Sequence, residues 1–118
     1  MGKTFFEKRP WGNFRRFTLN EKTTVKILTV KPKQILSLQS HKKRSEQWAA
    51  LTEGITVTVG SKKTLLKKLQ SIFIPKGARH RIQNNSSKEA MVLEISFGKF
   101  EENDIKRFED KYGRAKKK

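Results

Sequence analysis

Residues 75–84 read Pro-Lys-Gly-Ala-Arg-His-Arg-Ile-Gln-Asn (PKGARHRIQN), a reversal followed by a histidine and a return to extended chain. Pro75 and Gly77 supply the fixed and the permissive backbone that a tight reversal needs. The apolar run before it, Ser71 to Ile74 (SIFI), is a short strand candidate, and Arg81 to Gln83 returns to extended structure. His80 therefore stands where a turn hands over to a strand. The other histidine of the chain, His41, follows the strand candidate Ile35 to Gln39 and opens the polar segment QSHKKRSEQW, Gln39 to Trp48. If those two strands pair in one barrel, both imidazoles face its interior.

On either side of the His41 segment, Thr23 to Val30 (TTVKILTV) and Ile55 to Val59 (ITVTV) are rich in β-branched residues, and the second alternates apolar with Thr as a strand with one buried face does. Gln47 to Leu51, Lys63 to Leu66 and Met91 to Phe97 read as further strands. Turn residues separate them at Lys31-Pro32-Lys33, Glu53-Gly54, Gly60-Ser61 and Asn84-Asn85-Ser86-Ser87. Short strands at this spacing predict a sandwich or a closed barrel. From Asn103 to Tyr112 the period changes: Ile105, Phe108 and Tyr112 recur at helical spacing, with Asn103 as cap and Gly113 as stop, which predicts a short C-terminal helix. One domain over residues 1–113 and a basic tail, RAKKK, over residues 114–118 follow.

Composition bounds the chemistry. The 118 residues contain no cysteine, which excludes disulfides, thiolate catalysis and sulfur-ligated metal. No stretch approaches the roughly 20 apolar residues of a membrane span, and charges in the first ten residues argue against a signal peptide, so no membrane partner and a cytoplasmic location are expected. The formal charge of +17 favours anionic partners of any kind. Because the Lys pairs at 42–43, 62–63 and 67–68 are dispersed and no nucleic-acid motif accompanies them, nucleic acid is not the expected partner.

The spacing Pro75-x-Gly77-x-x-His80-x-x-x-Asn84 is similar to the second signature of the cupin superfamily, and the segment from His41 partly matches the first. In order along the chain, Arg9-Pro10-Trp11-Gly12, Lys31-Pro32, Leu36-Ser37-Leu38-Gln39-x-His41, Arg44-x-Glu46-x-Trp48, Phe73-Ile74-Pro75-x-Gly77-x-x-His80-Arg81 and Asp104-Ile105-x-Arg107-x-Glu109-Asp110-x-Tyr112-Gly113-Arg114 resemble the C-terminal isomerase part of type II mannose-6-phosphate isomerases. In that family the cupin often follows a nucleotidyltransferase domain. With no Gly-rich phosphate loop in the chain, the isomerase part alone is expected.

The resemblance implies an all-β cupin double-stranded β-helix (jelly-roll barrel) that forms a homodimer and interconverts an aldose phosphate and a ketose phosphate. Such a reaction needs a base, an electrophile for the developing oxyanion, and cations for phosphate. Glu46 is the expected base, with His80 as ligand or acid/base, and Lys33, Arg44, Arg79 and Arg81 as phosphate cations. Mapped onto the cupin pattern, His41, Gln47 and His80 are the expected metal ligands, for Zn or Mn. Lys43 stands where the family has a second His, and an ammonium there repels a divalent cation and could itself supply the electrophile. The rival reading is a non-catalytic cupin that binds a sugar or sugar phosphate with a degraded metal site. The sequence leaves Glu46 open to a surface role, and leaves Arg107, Glu109 and Asp110 open between the pocket and the solvated face of a helix.

Overall fold

Alternation of apolar side chains in the central strands gives each a buried face, and the chain satisfies those faces by packing two antiparallel sheets against each other. The computed structural model describes residues 4–109. Within them run β1 (Phe5–Arg9), β2 (Gly12–Arg16), β3 (Thr23–Val30), β4 (Leu38–Ser40), β5 (Arg44–Ala50), β6 (Ile55–Val59), β7 (Lys62–Leu65), β8 (Ser71–Ile74), β9 (His80–Asn84), β10 (Ala90–Gly98) and β11 (Lys106–Glu109). One sheet has the order β3-β10-β5-β8 and the other β11-β4-β9-β6-β7. Val30, Trp48, Ala50, Ile74 and Val92 from the first meet Ile55, Val57 and Ile82 from the second in one buried core. This is the jelly-roll barrel that the resemblance implied.

Register decides what the interior sees. On β10, Val92, Glu94 and Ser96 lie opposite Ala50, Trp48 and Glu46 of β5 and opposite Leu28, Lys26 and Thr24 of β3. Side chains of one parity share a face. A row of polar groups is therefore delivered to one end of the barrel, with an apolar row at the other.

Two elements differ from the sequence reading. Over its described residues, the segment expected as the helix Asn103–Tyr112 is a turn followed by β11, paired with β4 through Lys106↔Ser40 and Arg107↔Gln39, with a bulge before Glu109. A lone ten-residue helix gains little in water. Here the Asp104 carboxylate accepts the backbone N–H groups of Lys42 (3.0 Å) and Lys43 (2.9 Å), which fixes the segment along the open edge of β4. Phe108 then lies under the Arg79 guanidinium, 3.9 Å from the ring centre. The remaining helix positions, Asp110 to Tyr112, and the basic tail lie outside the described residues. The second difference is the hairpin β1–β2, whose strands were not expected. It is held by a Phe5–Phe14 ring contact at 6.2 Å and by Arg16 stacked 4.5 Å from Phe5, with Trp11 71% exposed in its turn.

Candidate functional site

The turn at Pro75 does more than reverse the chain. Gly77 adopts a positive φ of 81°, a region that favours glycine, and its N–H donates to the His41 carbonyl at 2.8 Å. The turn that launches His80 is thereby tied to the loop that carries His41. The two rings meet inside the barrel with centroids 5.0 Å apart. Their exposures are 4% and 2%, and Glu46 beside them is 1% exposed. Glu46 Oε2 lies 3.7 Å from His41 Nε2, and its Oε1 lies 3.8 Å from His80 Nε2.

Each imidazole is oriented by a backbone carbonyl. His41 Nδ1 is 2.7 Å from the Asp104 oxygen and His80 Nδ1 is 3.0 Å from that of Ala78. With a proton on each Nδ1, both Nε2 lone pairs turn toward Glu46. Burial holds the His80 pKa below its ordinary value, against the opposing pull of the Ala78 carbonyl and of Glu46, so this ring is neutral at pH 7. Glu46 accepts from Arg44 Nε (2.8 Å), from the Trp48 indole N–H (3.0 Å) and from the Ser96 hydroxyl (3.4 Å). Trp48 meets the His80 ring edge-on, with centroids 5.1 Å apart.

Next to this cluster is a cavity of about 330 Å³. Arg44 and Trp48, which hold Glu46, form part of its wall, together with Lys26, Arg81, Arg107 and Glu94. Burial first, and then the neighbouring Glu46 carboxylate, push the Glu94 carboxyl up to about 7. Arg81 reaches the wall after donating from Nε to the Leu36 carbonyl and from Nη1 to Glu109. The Arg107 Nε is buried with no partner among the described residues.

The expected site residues divide accordingly. His41, Glu46, His80 and Arg44 converge, and Arg81 lines the cavity beside them. Gln47, expected as the third metal ligand, lies on the opposite face of β5 from Glu46 and Trp48, because neighbours in a strand point apart. Glu46 stands in its place. Lys43 points outward, 53% exposed, with its ammonium 2.9 Å from Glu101, which raises its pKa through that hydrogen bond. It is no part of the cluster. Arg79 stacks on Phe108, and Lys33 donates to the Asn85 carbonyl at 2.7 Å; neither lines the cavity. The signature residue Asn84 is a structural tie: its amide donates to the carbonyls of Val30 (2.9 Å) and Lys88 (2.8 Å), and its oxygen accepts from Ser86.

Sequence reasoning passed over Glu94, Lys26 and Asp104 and left Arg107 open. A signal for Glu94 was present: in Ala90–Gly98 it falls at the parity of Ala90 and Val92, an acid on the inward side of an apolar strand.

The residues present fit a divalent cation. His41, Glu46 and His80 place one donor atom each within 4.8 Å of one another. His80 Nε2 is a buried lone pair without a partner among the described residues, and the carbonyl-anchored Nδ1 atoms match the support that ligating imidazoles require.

Comparison with known proteins agrees with the fold. Residues 3–110 match the family model described as "Mannose-6-phosphate isomerase C-terminal". The chain is 39% identical over 108 residues to the mannose-1-phosphate guanylyltransferase ManC of Salmonella typhimurium, a match covering 91% of this chain and 22% of that protein. The chain thus spans about a fifth of that relative's length. Among solved structures, the capsular polysaccharide assembling protein CapF of Staphylococcus aureus superposes with a TM-score of 0.68 at 16% identity, covering 91% of this chain and 34% of that one. The cupin domain of Schizosaccharomyces pombe Cnp3 superposes with a TM-score of 0.62 at 13% identity, covering 82% and 87%. These structural likenesses speak for the cupin fold, and the match over residues 3–110 places the chain in the mannose-6-phosphate isomerase C-terminal family.

Proposed function

We propose that this chain is an aldose–ketose isomerase for a mannose-6-phosphate-type sugar phosphate, with the wall of its 330 Å³ cavity as the substrate site. The observation that carries the reading is the joint presence in that wall of Lys26, Arg44, Arg81 and Arg107 with two carboxyls, Glu102, which pairs with Lys26 at 3.2 Å, and Glu94, whose pKa is about 7. Arg107, whose Nε is without a partner among the described residues, suits a phosphate dianion through a two-pronged fork, and Arg44 and Arg81, already bonded to protein acceptors, add positive charge beside it. Glu94 is the base in this reading: as carboxylate it takes the proton from C2 of the aldose, and as acid it returns it to C1 of the enediol. The hydroxyl proton on O2 moves to O1 in the same interconversion, so nothing is oxidised overall. Glu46, the base expected from sequence, has both oxygens committed to hydrogen bonds, which favours Glu94.

His41, Glu46 and His80 would hold a divalent ion, Zn or Mn in class, which supplies Lewis-acid polarisation of a sugar oxygen. Trp48 closes the site on the core side and keeps water from the cluster. A homodimer suits the open edge of β3, whose Val25 and Ile27 are 56% and 59% exposed. A non-catalytic sugar-phosphate cupin remains a second reading, favoured by the Arg44 guanidinium already bonded to Glu46.

Conversion of mannose 6-phosphate to fructose 6-phosphate in a coupled assay decides between the two. The isomerase reading predicts turnover that falls at least about 100-fold in Glu94→Gln and is unchanged in Lys33→Ala. Binding of the sugar phosphate without turnover establishes the rival.

A further inference from the structure

Arg44 is bonded into the His41–Glu46–His80 cluster and also lines the cavity. It is 6% exposed, and its guanidinium touches the cluster twice, through Nε to Glu46 Oε2 at 2.8 Å and through Nη2 at 3.3 Å from His41 Nε2. Two of the three potential metal donors are therefore engaged by one permanent positive charge. Only His80 Nε2 is left without a partner among the described residues. The same side chain forms part of the cavity wall, whereas His41, Glu46 and His80 do not, so Arg44 stands between the cavity and the cluster. It is also tethered on its far side, with Nη1 3.2 Å from the Glu101 carbonyl and the guanidinium 4.3 Å from the centre of the Phe100 ring.

We propose that Arg44 is an internal counter-cation of the His41–Glu46–His80 cluster, one that a divalent ion must displace and that a phosphate monoester in the cavity draws away. A guanidinium does not lose its charge in a protein, so it and a dication compete for the same carboxylate at short range and low dielectric. A phosphate dianion beside Arg107 and Arg81 is a better partner for the guanidinium than a carboxylate already shared with Trp48. Moving Arg44 toward that anion frees His41 Nε2 and Glu46 Oε2. Metal and phosphate then bind cooperatively, each tightening the other by the same factor. The inference rests on the proposed function in one respect, that the cluster accepts a divalent ion.

The test is a Co²⁺ titration of the full chain in a Trp11→Phe background, so that Trp48, bonded to Glu46, is the fluorescent reporter. It is run with and without glycerol 2-phosphate, a phosphate monoester that cannot isomerise. The expected result is Co²⁺ affinity at least about fivefold tighter with the anion. Arg44→Gln is expected to bind Co²⁺ more tightly than the parent without anion and to lose the anion response. Saturable Co²⁺ binding that is indifferent to glycerol 2-phosphate in the parent, and no tighter in Arg44→Gln, overturns the proposal while leaving the metal site standing. Absence of Co²⁺ binding in both proteins, with and without anion, overturns the metal site and the proposal together. If Arg44→Gln does not fold, the paired titrations of the parent decide alone.

Discussion

Glu94 carries a proton to about pH 7 because burial and the Glu46 carboxylate disfavour its charge, whereas in the unfolded chain the same carboxyl ionises near 4.5. Between those values the native state binds more protons than the unfolded one, so this group's contribution to stability falls as pH rises through the window. Glu94→Gln removes the penalty. The variant is expected to be more stable than the parent at pH 7.5 by about 1–3 kcal/mol and to match it near pH 4.5, measured by urea unfolding at the two pH values. Equal stability at both would mean that Glu94 ionises normally. His80 was legible because only two histidines exist and one sits in a recognisable turn, whereas the inward parity of Glu94 was legible but its raised pKa was not, since that depends on Glu46, 48 positions away in sequence.

At the scale of elements, the alternating segment Ile55–Val59 and the apolar run Ser71–Ile74 were read well: both are strands at the expected positions. The last segment misled because Ile105 and Phe108 have helical spacing, and local period cannot register the empty edge of β4 or the two backbone amides offered to Asp104. Gln47 was misplaced by a single residue of parity, enough to exchange it with Glu46 between faces. The Asp104 carboxyl is held below the usual carboxylate range, first by the Lys42 N–H, so its contribution is present at neutral pH and is lost as pH falls through its folded value. Asp104→Ala is expected to speed amide exchange in β11 and at Lys42 and Lys43 by roughly tenfold while leaving β6 and β10 protected. Uniform acceleration throughout the chain would show that Asp104 supports the whole fold.

For the molecule as a whole, 28 basic against 11 acidic residues give +17, a charge that repels itself in the compact state. Several acids are already paired, Glu101 with Lys43 and Lys99, Glu102 with Lys26, and Glu109 with Arg81. The basic residues outnumber the acids that could offset them, and raising ionic strength from about 0.01 to about 0.1 M, which shortens the screening length from about 30 to about 10 Å, is expected to raise Tm. Fructose 6-phosphate at the same ionic strength is expected to raise it further, because a ligand bound only by the native state adds to general screening. Equal rises with sodium chloride and the sugar phosphate would argue against a specific anion site. Whether the cavity moves a proton between adjacent sugar carbons is read by incubating the chain with mannose 6-phosphate in D₂O, supplied with Zn²⁺ and followed by NMR. Fructose 6-phosphate is expected with deuterium at C1, together with deuterium at C2 of the remaining aldose, and both signals are expected to be lost in Glu94→Gln. Unchanged, undeuterated mannose 6-phosphate in the presence of folded protein shown to bind it would rule out proton transfer in this cavity.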